Sequence, residues 1–274
     1  MESILDMLLS YSFSTFYNVV FRIMEATIDY QTKDLQSLLK CLNTNSTQTE
    51  IKEVFSVIAN KLFRNYHIVK GENTYDFLEI EFYFYSPNHR DLITYPRNSR
   101  KPGMWFFHMS GVDITFGSDE KEGDHQLMYG GILVRSIVKT QGGGSTLSKY
   151  ICGPMKCVDE LFDYIYAFDG DISRADIPYI EEKEEKEIIS IGSCSRYIPL
   201  LFEKDRSQKM HSKFEELKKR RITKDWKNVP ELIKDWESHE YTEKNFEDYL
   251  ERPYRFYRND CDEWMIGYNA KPKN

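Results

Sequence analysis

Cysteine is scarce in this sequence and irregularly placed. Five stand among 274 residues: Cys41, Cys152, Cys157, Cys194 and Cys261. An odd count with wide spacing forms neither a disulfide framework nor a zinc pattern, and it fits a reducing cytosol. Proline (9) and glycine (14) are too few for a collagen-like or low-complexity chain. No apolar run reaches the roughly 20 residues of a membrane span, which predicts no membrane partner. The opening "MESILDMLLSYSF" has an early acid, no basic region and no small-residue cleavage site, so it makes a poor signal peptide. A basic excess is missing too. The formal charge is −7, which argues against non-specific coating of duplex DNA, where phosphate neutralisation supplies much of the affinity.

Aromatic residues are abundant, at 15% of the chain, and many fall in short alternating runs typical of strands. Residues 2–26 carry apolar groups at helical spacing, and 31–41 continue as a short helix. Ile51, Val54, Phe55, Ile58 and Leu62 form one stripe, which predicts an amphipathic helix over 50–63 packed on a core. Strands are expected at 65–71, 74–85, 103–111, 112–117, 130–138, 187–194, 254–258 and 263–268. "QGGGST" (141–146) reads as a flexible crossing, and helices are expected at 153–165, 204–220 and 230–251. Helices, then an antiparallel sheet, then helices on it define an α+β fold. Residues 1–48 are expected to be a helical extension and 49–274 a single domain.

The strand "TYDFLEIEFYFY" carries two carboxylates. Alternation puts Glu79, Glu81, Tyr83 and Tyr85 on one side and Ile80, Phe82 and Phe84 on the other. The polar side is either a solvated sheet face or a place where a buried carboxylate acts as a general base. Arg135 interrupts the apolar run "GGILVRSIV". It calls for a carboxylate or phosphate partner, either in an ion pair with a strand Glu or toward a substrate. His89 and Asp91 sit in a turn just beyond the strand, and His108 lies inside an aromatic strand. The spacing of His89, Asp91 and His108 matches no standard metal-ligand motif, and no metal or cofactor is expected. "QGGGSTLSK" lacks the frame of a phosphate loop. Residues 204–224 hold nine Lys/Arg against three acids. Their "KKRR" is either a solvated helix end or a nucleic-acid patch.

The order of these pieces resembles the alkyladenine (3-methyladenine) DNA glycosylase family. "LEIEFY" (78–83) is similar to that family's "V-E-T-E-A-Y" strand. "PRN" (96–98), "PG" (102–103), "WFFHMSG" (105–111), "ILVRSI" (132–137), "CGPMKC" (152–157), "CSRYI" (194–198) and "YRFYR" (254–258) follow in the family's order. The likeness covers about residues 50–200 and 253–260. Residues 79–137 resemble a divergent bacterial branch of the group most closely.

The resemblance implies a formyltransferase C-terminal-like curved sheet or partial barrel. It also implies hydrolysis of a base–sugar bond in DNA, as in base excision repair. Glu81 matches the catalytic base that activates water, and Arg135 matches the Arg beside that water. Tyr83 and Phe107 match aromatics on the two faces of a flipped base. No metal or lysine Schiff base is implied. The chain departs from the pattern at Ser110, which stands where the family wedges a Tyr into the duplex. It departs again at Leu92, where a pocket His is expected, and at Gly117, where an Asn is. His89, Asp91, His108 and Asp113 then become the expected pocket set of this branch. The partner is DNA or a modified nucleotide. The competing reading is an inactive module that binds a nucleotide or a protein on the same fold.

Overall fold

The computed structural model describes residues 30–94, 96, 101–117, 121–122, 125–141, 149–162, 176–185, 187, 190–227, 230–238 and 241–259. The helices expected over 2–26, the strand over 263–268 and the glycines of "QGGGST" lie outside them. The chain divides into two units, Met1–Asp34 and Leu35–Asn274. The first contributes a 3₁₀ turn at Tyr30–Thr32. The remaining description concerns the second.

After a short helix α1 (Leu35–Leu38), α2 (Gln48–Arg64) begins at Thr47. The Thr47 side chain accepts from Glu50 N, and Glu50 reaches back to the Thr47 N–H. This capping box satisfies donors that a helix start leaves open. The expected stripe is buried in full. Two strands follow, β1 (Tyr66–Lys70) and β2 (Asn73–Ser86). They are joined by a tight turn at Gly71, whose φ is +55°.

β2 is the spine of an antiparallel sheet. It pairs along its length with β8 (Tyr129–Gln141). Its other edge pairs successively with β1, with β12 (Arg255–Arg258) and with β3 (His89–Arg90). β4 (Trp105–His108), β5 (Gly111–Thr115) and β9 (Lys149–Cys152) extend the β8 side. β10 (Tyr179–Glu182) and β11 (Ile191–Cys194) join β1 and β12. A separate ladder links β6 (Lys121–Glu122) to β7 (His125–Gln126). Among the described residues the large sheet does not close on itself. The fold is therefore α+β with an open antiparallel sheet.

One face of β2 is apolar. Phe82 stacks on Phe55 of α2 with ring centroids 4.4 Å apart, and Phe116 and Tyr254 complete the cluster. The late helices cover the far end of the sheet. These are α4 (Arg206–Arg220), α5 (Pro230–Ser238) and α6 (Glu243–Leu250), and an eight-residue α3 (Pro154–Leu161) precedes them. Phe214, Leu217, Trp226, Trp236, Phe246 and Leu250 pack there against Tyr85 and Tyr129, which stack across β2 and β8 at 5.1 Å. The single helix expected over 230–251 is two, because Thr242 and Asn245 build a second capping box. β9 and β10 were not expected from the pattern.

Candidate functional site

The second face of β2 is the unusual one. Glu79 and Glu81 are both fully buried, so this is not a solvated sheet face. Cross-strand register explains what surrounds them. Glu81 lies opposite Leu133 of β8 and Arg255 of β12, and Asp113 of β5 lies opposite Leu133. Residues directly opposite share a face, and so do residues two apart. Glu81, Arg135, Asp113 and Tyr83 therefore project to one side.

Arg135 is shared between the two glutamates. Its Nε donates to Glu79 Oε1 at 3.0 Å, and its Nη1 lies 3.2 Å from Glu81 Oε2. Glu79 also holds Ser136 Oγ at 2.9 Å and pairs with Arg255. Glu81 has donors on both oxygens. The Tyr83 hydroxyl donates to Oε2 at 2.8 Å, and the backbone N–H of Tyr197 donates to Oε1 at 2.5 Å. Burial and the neighbouring Glu81 charge hold the Tyr83 phenol well above its usual range, so it stays a proton donor.

A cavity of about 420 Å³ opens beside this network, within the ~300–1,000 Å³ typical of ligand sites. Arg135, Tyr83, His108, Asp113 and Ser110 all line it, with Leu133 as an apolar floor. Glu81 itself is not part of the wall. It stands one contact behind, held by three residues that are: Tyr83, Arg135 and Tyr197. Tyr197 forms another side, with Arg135 over its ring at 5.3 Å.

His108 Nε2 is 3.0 Å from Asp113 Oδ1, while the Ser110 N–H donates to His108 Nδ1 at 3.2 Å. That second bond places the imidazole proton on Nε2, facing Asp113. Gly131 makes this corner possible, since a Cβ there would stand 2.8 Å from the Asp113 side chain. Ser110 is exposed at the rim, and Met109 before it is 98% exposed at the hairpin tip.

Three expected pocket residues lie elsewhere. Phe107 occupies the opposite face of β4 from His108, is half-exposed and packs edge-on to Phe162 at 4.6 Å. Strand alternation turns it away from the cavity that His108 lines. His89 is fully buried and spans Phe84 O (2.9 Å) and the Tyr254 hydroxyl (2.8 Å). Asp91 pairs with Arg196, which also donates to the carbonyls of Phe82 and Tyr249. His89 therefore ties β3 to Tyr254, just before β12, and Asp91 ties the residue after β3 to Arg196, just after β11. Arg196 in turn lies over the Tyr83 ring at 4.9 Å, steadying it from behind.

Several wall residues were not expected at the pocket: Tyr197, Ile198 and Pro199 after β11, the first two within "CSRYI", and Lys213, Leu217 and Arg220 of α4, within the basic run at 204–224. Among the described residues, no group of three or more His, Cys, Asp or Glu side chains is placed to hold a metal, and no helix is long and apolar enough to cross a membrane. No protein-family model matches the chain, and no curated protein matches it.

Proposed function

We propose that the cavity receives the base and sugar of an N-glycoside, and that the chain is a DNA-3-methyladenine glycosylase-like hydrolase releasing a modified base from DNA. On this reading the open sheet is the wall of a formyltransferase C-terminal-like half-barrel. The observation that carries the proposal is the shared Glu81 Oε2. Arg135 and Tyr83, both on the cavity wall, converge on it. These are the three positions whose resemblance implies base, stabiliser and stacking partner.

The chemistry assigns one task to each. Glu81 takes a proton from water as the water oxygen bonds to C1′. The C1′–N bond breaks, its electron pair leaves with the base, and the proton passes on to that base. Arg135 offsets the charge around the attacking oxygen. The Tyr83 hydroxyl must yield Oε2 to water, so ligand entry and base activation are coupled. Ser110 is too small to fill a gap in a duplex. Single-stranded DNA, whose bases are already unstacked, is therefore the preferred form of substrate.

A second reading is an inactive nucleotide-binding module on the same fold. It is favoured by the complete burial of Glu81, with donors on both oxygens. The two are separated by incubating wild type and Glu81→Gln with alkylated and deaminated DNA, single- and double-stranded, and measuring free base. Hydrolysis predicts release by wild type and roughly a hundredfold loss or more in the variant. Binding without release of any base supports the module, and undiminished release by Glu81→Gln removes Glu81 as the base.

A further inference from the structure

The basic run at 204–224 does not stay together in the fold. Lys213 and Arg220 line the cavity, Lys219 is exposed, and Arg221 is buried. Lys213 and Arg220 are seven positions apart, about two helical turns, and so share one stripe of α4. Leu217, between them, is cavity wall as well. Basic residues in the last turn, Lys218 to Arg220, suit the negative end of the helix dipole. Lys213 is mid-helix, and the dipole does not account for it.

Lys213 is held loosely on the helix surface. Lys213 meets Glu216 at 2.9 Å, with side chains 42% and 59% exposed, where solvent screens the pair. Arg220 Nε is 3.4 Å from Asp225 Oδ2, but that oxygen sits closer, 2.6 Å, to Arg221 Nη1. One carboxylate thus serves two guanidiniums. Arg221 also donates to the carbonyls of Leu92 and Thr94. It clamps the end of α4 to the loop carrying Ile93, another wall residue, while Arg220 beside it lines the cavity. Among the described residues, the cavity wall carries Lys213, Arg220 and Arg135, the last already paired with Glu79 and Glu81, and one carboxylate, Asp113, which His108 engages.

We infer that Lys213 and Arg220 form a phosphate-binding edge, so that the cavity selects phosphate-bearing ligands over free nucleosides. This deepens the N-glycoside reading, on which the nucleotide nature of the ligand rests. The phosphate is either the monoester of a free nucleotide or a diester in a single strand.

The test measures binding of adenosine, adenosine 5′-monophosphate and a short fluorescein-labelled single-stranded DNA to the full chain at several salt concentrations. Wild type binds one or both phosphorylated probes more tightly than adenosine. Lys213→Glu with Arg220→Glu weakens that binding roughly tenfold or more and lowers the salt slope for DNA by about 1.4, two contacts at about 0.7 each. Adenosine binding is unchanged, and Lys219→Glu, a single charge reversal of the same kind off the cavity, has little effect. Tighter binding of the monophosphate or of the DNA names the source of the phosphate.

No preference of wild type for phosphorylated probes, or wild-type-like binding by the double variant, overturns the inference. Either result leaves hydrolysis standing if wild type still releases base. Phosphate-dependent binding without base release does the reverse, removing hydrolysis and keeping the edge.

Discussion

Arg135 Nη1 lies 3.2 Å from Glu81 Oε2 while its Nε donates to Glu79 Oε1 at 3.0 Å, so one buried guanidinium answers two carboxylates. The pairs are unequal in what they do. Glu79 is also held by Arg255 and Ser136, whereas Glu81 is bonded to two residues of the cavity wall, Tyr83 and Tyr197.

Glu81→Gln therefore separates chemistry from scaffold. The amide keeps the shape but turns one acceptor into a donor facing either Arg135 or the Tyr197 N–H. Arg135 retains Glu79, so the loss stays below that of a fully broken buried pair. A destabilisation of about 1–3 kcal/mol is expected, read from the urea midpoint. Base release falls to background in the same preparation. A folded Glu81→Gln with full activity would assign the water-activating role to another group.

Asp91 and Arg196 form a second buried pair, at 2.5 Å, linking positions 105 apart in sequence. Asp91→Asn leaves the guanidinium with carbonyl acceptors and no counter-charge. A loss of about 3–5 kcal/mol follows, measured by equilibrium denaturation. Combining Asp91→Asn with Arg196→Met recovers part of it, because the uncompensated charge is gone. A double variant no more stable than Asp91→Asn alone would show that the carbonyl bonds of Arg196, not its charge balance, matter most.

The buried Cys157 thiol and the half-buried Cys194 thiol are expected to be poorly reactive. Burial pushes Cys157 well above its usual range, and burial outweighs the nearby Arg255 to push Cys194 up to about 11. Since the thiolate is the reactive form, alkylation of Cys157 at pH 8 should be undetectable in the folded chain and complete after unfolding, followed by peptide mass spectrometry. Rapid native labelling of Cys157 would contradict its packing.

What was legible depended on how local the cause is. The stripe of α2 and the apolar face of β2 were readable because Phe55, Phe82 and their neighbours repeat at helix and strand periods. The other face of β2 was not readable as buried. Glu79 and Glu81 look solvated until Arg135 and Arg255 arrive from strands 54 to 176 positions away in the chain. Arg135 itself gave the clearest warning, a charge inside an apolar run. Asp91 was misplaced for the same reason, since Arg196 lies far along the sequence. Phe107 and His108 are neighbours in one strand, and only the placement of the sheet decides which of them meets the cavity. Lys213 and Arg220 reach it through the packing of α4, which leaves no local mark. β10 escaped notice because an acidic edge strand looks like a loop.

His89 makes stability depend on pH in a definite direction. Its pKa is lowered from the usual 6.5 to about 3, first by burial and then by the Arg252 and Arg196 charges, with Asp91 and the Phe84 carbonyl opposing. Nδ1 donates to Phe84 O, so Nε2 accepts from the Tyr254 hydroxyl, and a second ring proton has no place. Between about pH 3 and 6.5 the unfolded chain binds this proton and the folded chain does not. The group's contribution is thus fully present above pH 6.5 and is lost as pH falls toward 3, with a slope of at most about 1.4 kcal/mol per pH unit. His89→Gln keeps one donor and one acceptor but cannot titrate. Urea midpoints measured from pH 7 to pH 4 should fall less steeply in the variant, although it is less stable at pH 7. Parallel curves for the two proteins would place the acid sensitivity in the buried carboxylates instead.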